Sequence, residues 1–96
     1  MGDIFEIRIA KKAQKDLKKV PLHIALKLQG WVDDVGHRGI NEARKISGYH
    51  DEPLKGSRRS QRSIRLSKAY RAIYIEKNNE ISFIEIIEVN KHEYKK

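Results

Sequence analysis

Between residues 55 and 71 the sequence carries Lys55, Arg58, Arg59, Arg62, Arg65, Lys68 and Arg71, five of them arginines. A guanidinium offers paired donors that match a phosphate, so this run suits a phosphodiester better than lysines alone would. The competing reading is a solvated basic loop and strand face. Breaking a phosphodiester without a metal needs more than cations. A base must draw the proton from a 2′-hydroxyl, cations must hold the phosphate as charge builds, and an acid must protonate the leaving 5′-oxygen. His92, within Asn90-Lys91-His92-Glu93-Tyr94, is a candidate for either proton role because an imidazole titrates near neutrality. Glu52 could serve as a base, although an exposed loop carboxylate is more often simply solvated. His50 lies in the basic loop beside Asp51 and Glu52 and ranks second. His23, within a helix, and His37, between Gly36 and Gly39, read as inert. Tyr70, Tyr74 and Tyr94 could stack on bases, with Tyr74 better suited to packing in a sheet.

The whole chain bounds this chemistry. Its 96 residues make one domain, 1–96, with one modest core. Twenty-one Lys and Arg against thirteen Asp and Glu give a net charge of +8, a potential that attracts polyanions, nucleic acid above all. Cysteine is absent, which removes disulfides, thiolate zinc sites and a cysteine nucleophile. The histidines are scattered without ligand spacing, so neither a metal nor another cofactor is expected. No apolar stretch approaches membrane length and the N-terminus lacks the apolar core of a secretory signal, so the expected setting is the cytoplasm with no membrane partner.

The elements that must position these groups follow from periodicity. Phe5, Ile7 and Ile9 alternate with Glu6 and Arg8, which predicts a half-buried strand. Ala13, Leu17 and Val20 recur at helical spacing among lysines. Pro21 suits the start of a second helix whose face is Ile24, Leu28, Trp31 and Val35. Gly36 and Gly39 should end or bend it, and residues 40–46 could add a turn or two. Residues 47–62 read as a loop rich in Gly, Pro, Ser and charge. Three strands are expected after it, at Ser63–Ser67, Tyr70–Glu76 and Ile81–Val89, the last two joined by a turn at Lys77-Asn78-Asn79. Phe83 and Ile84, then Ile86 and Ile87, point to opposite faces, so the last strand should be central. The expected fold class is α+β, in the order β-α-α-β-β-β: a mostly antiparallel four-stranded sheet with a helical pair on one face. Arg65 lies opposite the Ile64 and Leu66 side of its strand and should be exposed. Arg71 is harder to place. It shares parity with Ile73 and Ile75, where a guanidinium is costly without an anionic partner.

The element order resembles the RelE/ParE toxin superfamily, together with four segments in sequence. These are Glu52-Pro53-Leu54-Lys55-Gly56, Ser63-Ile64-Arg65-Leu66, Ala69-Tyr70-Arg71-Ala72-Ile73-Tyr74 and Val89-Asn90-Lys91-His92-Glu93-Tyr94. The resemblance implies a RelE-like fold and a metal-independent endoribonuclease that cuts mRNA in the ribosomal A site. A cognate antitoxin would silence it. It implies strand cations at Arg65 and Arg71, a base at Glu52 as in the YoeB-like branch, and a proton donor after the last strand. Lys55, Arg58, Arg59, Arg62, Lys68 and Lys91 would bind RNA. The RelE toxin has arginine where His92 falls, whereas the YoeB- and HigB-like branches favour histidine. Glu93 separates His92 from Tyr94, which are adjacent in YoeB-like proteins, so the acid is left among His92, Tyr94 and Lys91. The ParE branch shares the fold, poisons DNA gyrase and generally lacks the catalytic set. A ParE-like inhibitor and a non-catalytic nucleic-acid-binding module are the alternatives, since fold alone does not fix function.

Overall fold

Alternating apolar and polar residues build the long strands of the computed structural model, which describes residues 3–91. The elements are β1 (Ile7–Ile9), α1 (Lys11–Leu17), α2 (Leu22–Arg38), α3 (Ile40–Ala43), β2 (Glu52–Pro53), β3 (Gln61–Arg65), β4 (Tyr70–Asn78) and β5 (Ser82–Lys91). Two short 3-10 turns, Ser47–Tyr49 and Gly56–Arg58, flank β2. The strands lie in the order β1-β5-β4-β3-β2. Strands β2 to β5 form an antiparallel meander, and β1 joins the far side of β5 in parallel.

The α+β class holds, with corrections. The sheet has five strands and is mixed, not four-stranded. The added strand, Glu52–Pro53, falls inside the stretch expected to be loop and is too short to show a period. Its proline is tolerated because β2 lies at the edge, where no further strand needs the missing N–H. The extra turn expected after Gly39 forms as α3. The hairpin turn moves to residues 79–81, since β4 continues through Asn78. Strand β5 is interior, between β1 and β4, while β4 takes the middle of the sheet.

The two-sided apolar pattern of β5 has a local cause. Ile73 pairs with Glu88 while Tyr74 pairs with Ile86, so Ile87 is the extra residue of a β-bulge. Ile84 and Ile86 before the bulge and Val89 after it therefore all reach the same core. Strict alternation would have turned Val89 outward.

That core lies between the helices and one sheet face. Ile24, Leu28, Trp31 and Val35 of α2 are buried against Ile64, Ala72, Tyr74, Ile84 and Ile86. The rings of Trp31 and Tyr74 stand 5.0 Å apart at a 40° tilt, a geometry aromatic pairs favour. Helix α2 begins after Pro21, runs through Gly36 and stops at Gly39, whose φ of 87° suits glycine alone. A Cβ there would also collide with the Asp3 carboxylate. That carboxylate accepts hydrogen bonds from the amides of Ile4 and Asn41. Helix α1 is fixed to β5 by Asp16. Past the end of β1 its Oδ2 accepts the amide of Val89 at 2.9 Å, while Lys12 Nζ donates to it at 2.8 Å. Burial alone would raise the Asp16 carboxyl, but the hydrogen bonds from Lys12 and Val89 outweigh it and hold its pKa below the ordinary range. No helix of the described residues is long and apolar enough to cross a membrane.

Candidate functional site

The helices cover one face of the sheet and leave the other open. Residues directly paired across strands share a face, so the register alone assembles rows on the open side. One row runs Glu52, Ser63, Ile73, Glu88 from β2 to β5. The next runs Arg65, Arg71, Asn90 from β3 to β5, about 7 Å further along the strands. A cleft of about 110 Å³ opens over these rows, lined by His50, Glu52, Ser63, Arg65, Lys68 and Arg71 among others.

Arg65 and Arg71 are direct cross-strand partners. Like charges in that relation repel, and among the described residues neither forms an ion pair. Arg71 Nε donates to Asn90 Oδ1 at 3.3 Å, so only a neutral amide shares their row. Two guanidiniums so placed can hold a phosphate from both sides. The awkward parity of Arg71 is thereby explained: its face is the open one. Ile73, fully buried on that face, is no part of the helix-side core. Arg58 spans the face beside it, with Nε donating to Gln61 Oε1 at 2.7 Å and Nη2 to Glu88 Oε1 at 3.1 Å. Gln61 and Glu88 are the cross-strand partners of Ile75 and Ile73.

The expected cations therefore divide. Arg58 lies on the open face, with its charge met by Glu88. Arg62, expected among the RNA-binding cations, faces the other way. It pairs with Tyr74 on the helix side and binds Asp51, its Nε 2.7 Å from Oδ1. The Asp51 side chain has 0% exposure and also accepts the Tyr74 hydroxyl at 2.6 Å. Arg44 completes this group, donating to the Tyr74 oxygen at 3.1 Å and to Glu76 at 3.3 Å. Burial, then the hydrogen bond to Asp51, pushes the Tyr74 phenol well above its ordinary pKa, so it stays a neutral donor. Its sequence reading as a packing residue holds. Lys55, Arg59, Lys68 and Lys91 are exposed. Lys91 stands opposite Tyr70, which also lines the cleft. His92 and Tyr94 lie outside the described residues.

The Asp51 anchor also explains how the proton-moving candidates are presented. Side chains alternate along an extended segment, so burying Asp51 on the helix side turns Glu52 toward the cleft, which His50 also lines. The backbone of His50 is left-handed, with φ 47° and ψ 50°, an uncommon conformation for a non-glycine residue. The structure thus raises His50, the second-rank candidate, to a place beside Glu52. His23 and His37 are exposed on α2, and the His37 ring is 2.8 Å from its own helix carbonyl at Asp33. Among the described residues no three His, Asp or Glu side chains converge as metal ligands.

No family model and no curated protein matches the chain in sequence. Solved structures do match in fold. A YoeB/ParE toxin from Agrobacterium tumefaciens superposes with a TM-score of 0.70 at 15% identity, covering 92% of this chain and 99% of that one. YafQ in the DinJ–YafQ toxin–antitoxin complex of E. coli gives 0.68 at 20% identity over 91% of both chains. The YoeB dimer from Staphylococcus aureus gives 0.65 at 16% identity, covering 97% of this chain and all of that one. Near-complete coverage in each comparison shows that the chain shares the fold of these toxin structures.

Proposed function

We propose that the chain is the toxin of a toxin–antitoxin pair and acts as a metal-independent endoribonuclease on mRNA in the ribosomal A site. The observation that carries this reading is the direct pairing of Arg65 and Arg71 on the open face, in the same cleft as Glu52 and His50. In the proposed reaction Glu52 or His50 takes the 2′-hydroxyl proton, and the 2′-oxygen attacks phosphorus. Arg65 and Arg71 stabilise the added negative charge, and the 5′-oxygen leaves with a proton from an acid. The products are a 2′,3′-cyclic phosphate and a 5′-hydroxyl. His92, Tyr94 and Lys91 are the acid candidates; Lys91 ends β5 and pairs with Tyr70. Exposed Lys55, Arg59 and Lys68 supply positive potential for the RNA strand. A cognate antitoxin is the proposed partner, as the DinJ–YafQ complex has one.

Inducing the chain without an antitoxin should stop translation and create new transcript 5′ ends bearing hydroxyls, detectable by primer extension. Arg71→Ala and His92→Ala should keep the fold and lose cleavage by roughly a hundredfold or more. If induced cells stop DNA synthesis first and their transcripts gain no new ends, a gyrase-directed activity replaces this reading.

A further inference from the structure

The open face carries a hydrogen-bonded chain that the cleavage scheme does not use. Arg58 donates to Glu88, Asn90 Nδ2 donates to the other Glu88 oxygen, and Asn90 Oδ1 accepts from Arg71 Nε. Its polarity is forced from one end. Burial alone would raise the Glu88 carboxyl, but hydrogen bonds from Asn90 and Arg58 hold its pKa below the ordinary range, so it is a carboxylate that only accepts. The Asn90 NH₂ must therefore face Glu88, and its oxygen must face Arg71. With Nε engaged, the edge of the Arg71 guanidinium without a partner among the described residues is the Nη1–Nη2 pair, and Arg65 stands directly across from the same residue.

We propose that Asn90 is the positioning residue of this anion site: an amide that aims Arg71 and insulates it from the Glu88 carboxylate. A carboxylate at position 90 would aim Arg71 equally well but would neutralise it. An apolar side chain would leave the guanidinium charged but free to turn. The amide alone fixes the Nη edge toward a phosphodiester while keeping its full charge. The charge of Glu88 is met by Arg58 on its far side, not by Arg71. This inference rests on the reading of Arg71 as a phosphate-binding residue.

The replacement Asn90→Asp separates these roles through pH. Ionised, the new carboxylate pairs with Arg71 and lies against Glu88, and two carboxylates so close hold a proton more tightly than either would alone. Protonated, its O–H donates to Glu88 while its second oxygen accepts from Arg71, which reproduces the asparagine. The probe is an all-2′-deoxy single-stranded oligonucleotide, which binds without being cut. Affinities are measured against salt for wild type, Arg71→Ala, Asn90→Ala and Asn90→Asp, with each protein's folding checked by thermal melting.

Arg71→Ala should weaken binding and lower the log–log salt slope by about 0.7, one phosphate contact on a single strand. Asn90→Asp should bind roughly tenfold more weakly than wild type at about pH 8, with the same loss of slope. It should return to within about threefold of wild type near pH 5. Asn90→Ala should bind a few-fold more weakly with its slope intact, and reads the aiming role even if the aspartate variant folds poorly. If Arg71→Ala weakens binding while both Asn90 variants match wild type, Asn90 has no positioning role and the phosphate reading stands. An Asn90→Asp variant that keeps the wild-type salt slope at about pH 8 removes the insulating role in the same way. If Arg71→Ala binds like wild type, the phosphate reading itself falls.

Discussion

Truncating Arg62 to alanine should unfold the protein more readily without changing its affinity for polyanions. The substitution removes the cation from a carboxylate with no solvent exposure and leaves Asp51 with the Tyr74 hydroxyl as its remaining hydrogen-bond donor. Breaking a fully buried pair from one side costs about 3–5 kcal/mol. Arg62 itself is 29% exposed, so water can reach part of the gap, and we expect about 2–3 kcal/mol. For a domain of this size that lowers the melting temperature by about 10–20 °C. Thermal and urea melts give the stability, and oligonucleotide titrations across salt give the charge count. Arg65→Ala is the contrast: stability nearly unchanged, salt slope reduced by about 0.7. An Arg62→Ala protein that melts like wild type but loses slope would show that Arg62 serves the ligand and that its bond to Asp51 carries no weight.

Three further outcomes follow from the fold and its charges. Asp16 has a folded pKa below its unfolded one, so its contribution is complete above the ordinary carboxylate range and is lost as pH falls through the folded value. Asp16→Asn should therefore flatten the acid limb of a stability–pH curve, and an unchanged limb would remove the bond to Val89 from the account. Gly39→Ala should cost about 1–3 kcal/mol from its positive-φ, extended backbone, with the Asp3 clash added, whereas Gly36→Ala, in open space within α2, should stabilise by up to about 1 kcal/mol in the same melts. Charge reversal at Lys55 and Arg59 should weaken oligonucleotide binding and lower its salt slope while leaving the melting temperature within a few degrees, because both side chains are exposed.

The two periods of the sequence located the helices and long strands to within a few residues, because burial on one face leaves a repeating mark. The stripe Ile24, Leu28, Trp31, Val35 is such a mark, and so are the alternations in β3 and β4. What the sequence hid was set by partners far along the chain. Arg58 and Arg62 look alike in a basic loop, yet one meets Glu88 thirty positions away and the other meets Asp51 across a sheet edge. Strand β2 has two residues and no period; it exists because the Asp51 side chain is fastened beneath it. Parity placed Arg71 with Ile73 and Ile75 correctly, but periodicity does not say which face the helices cover. The place of His50 at the cleft is hidden for a related reason: it depends on a backbone angle that residue type does not reveal.

The pairing of β1 with β5 also has a consequence for the order in which the molecule can assemble. Ile7 and Ile9 find their partners at Ile84 and Ile86, more than seventy positions later. As the chain is synthesised, β1, α1 and α2 emerge long before the strand that completes the sheet. Closing so long a loop costs entropy that is recovered only when the last pairing forms, which makes the final step slow and cooperative. Until then the apolar stripe of α2 lacks the β5 half of its floor and is a target for chaperones or misassociation. The row that pairs Arg71 with Asn90 also needs β5, so the proposed anion site is complete only once that strand has paired.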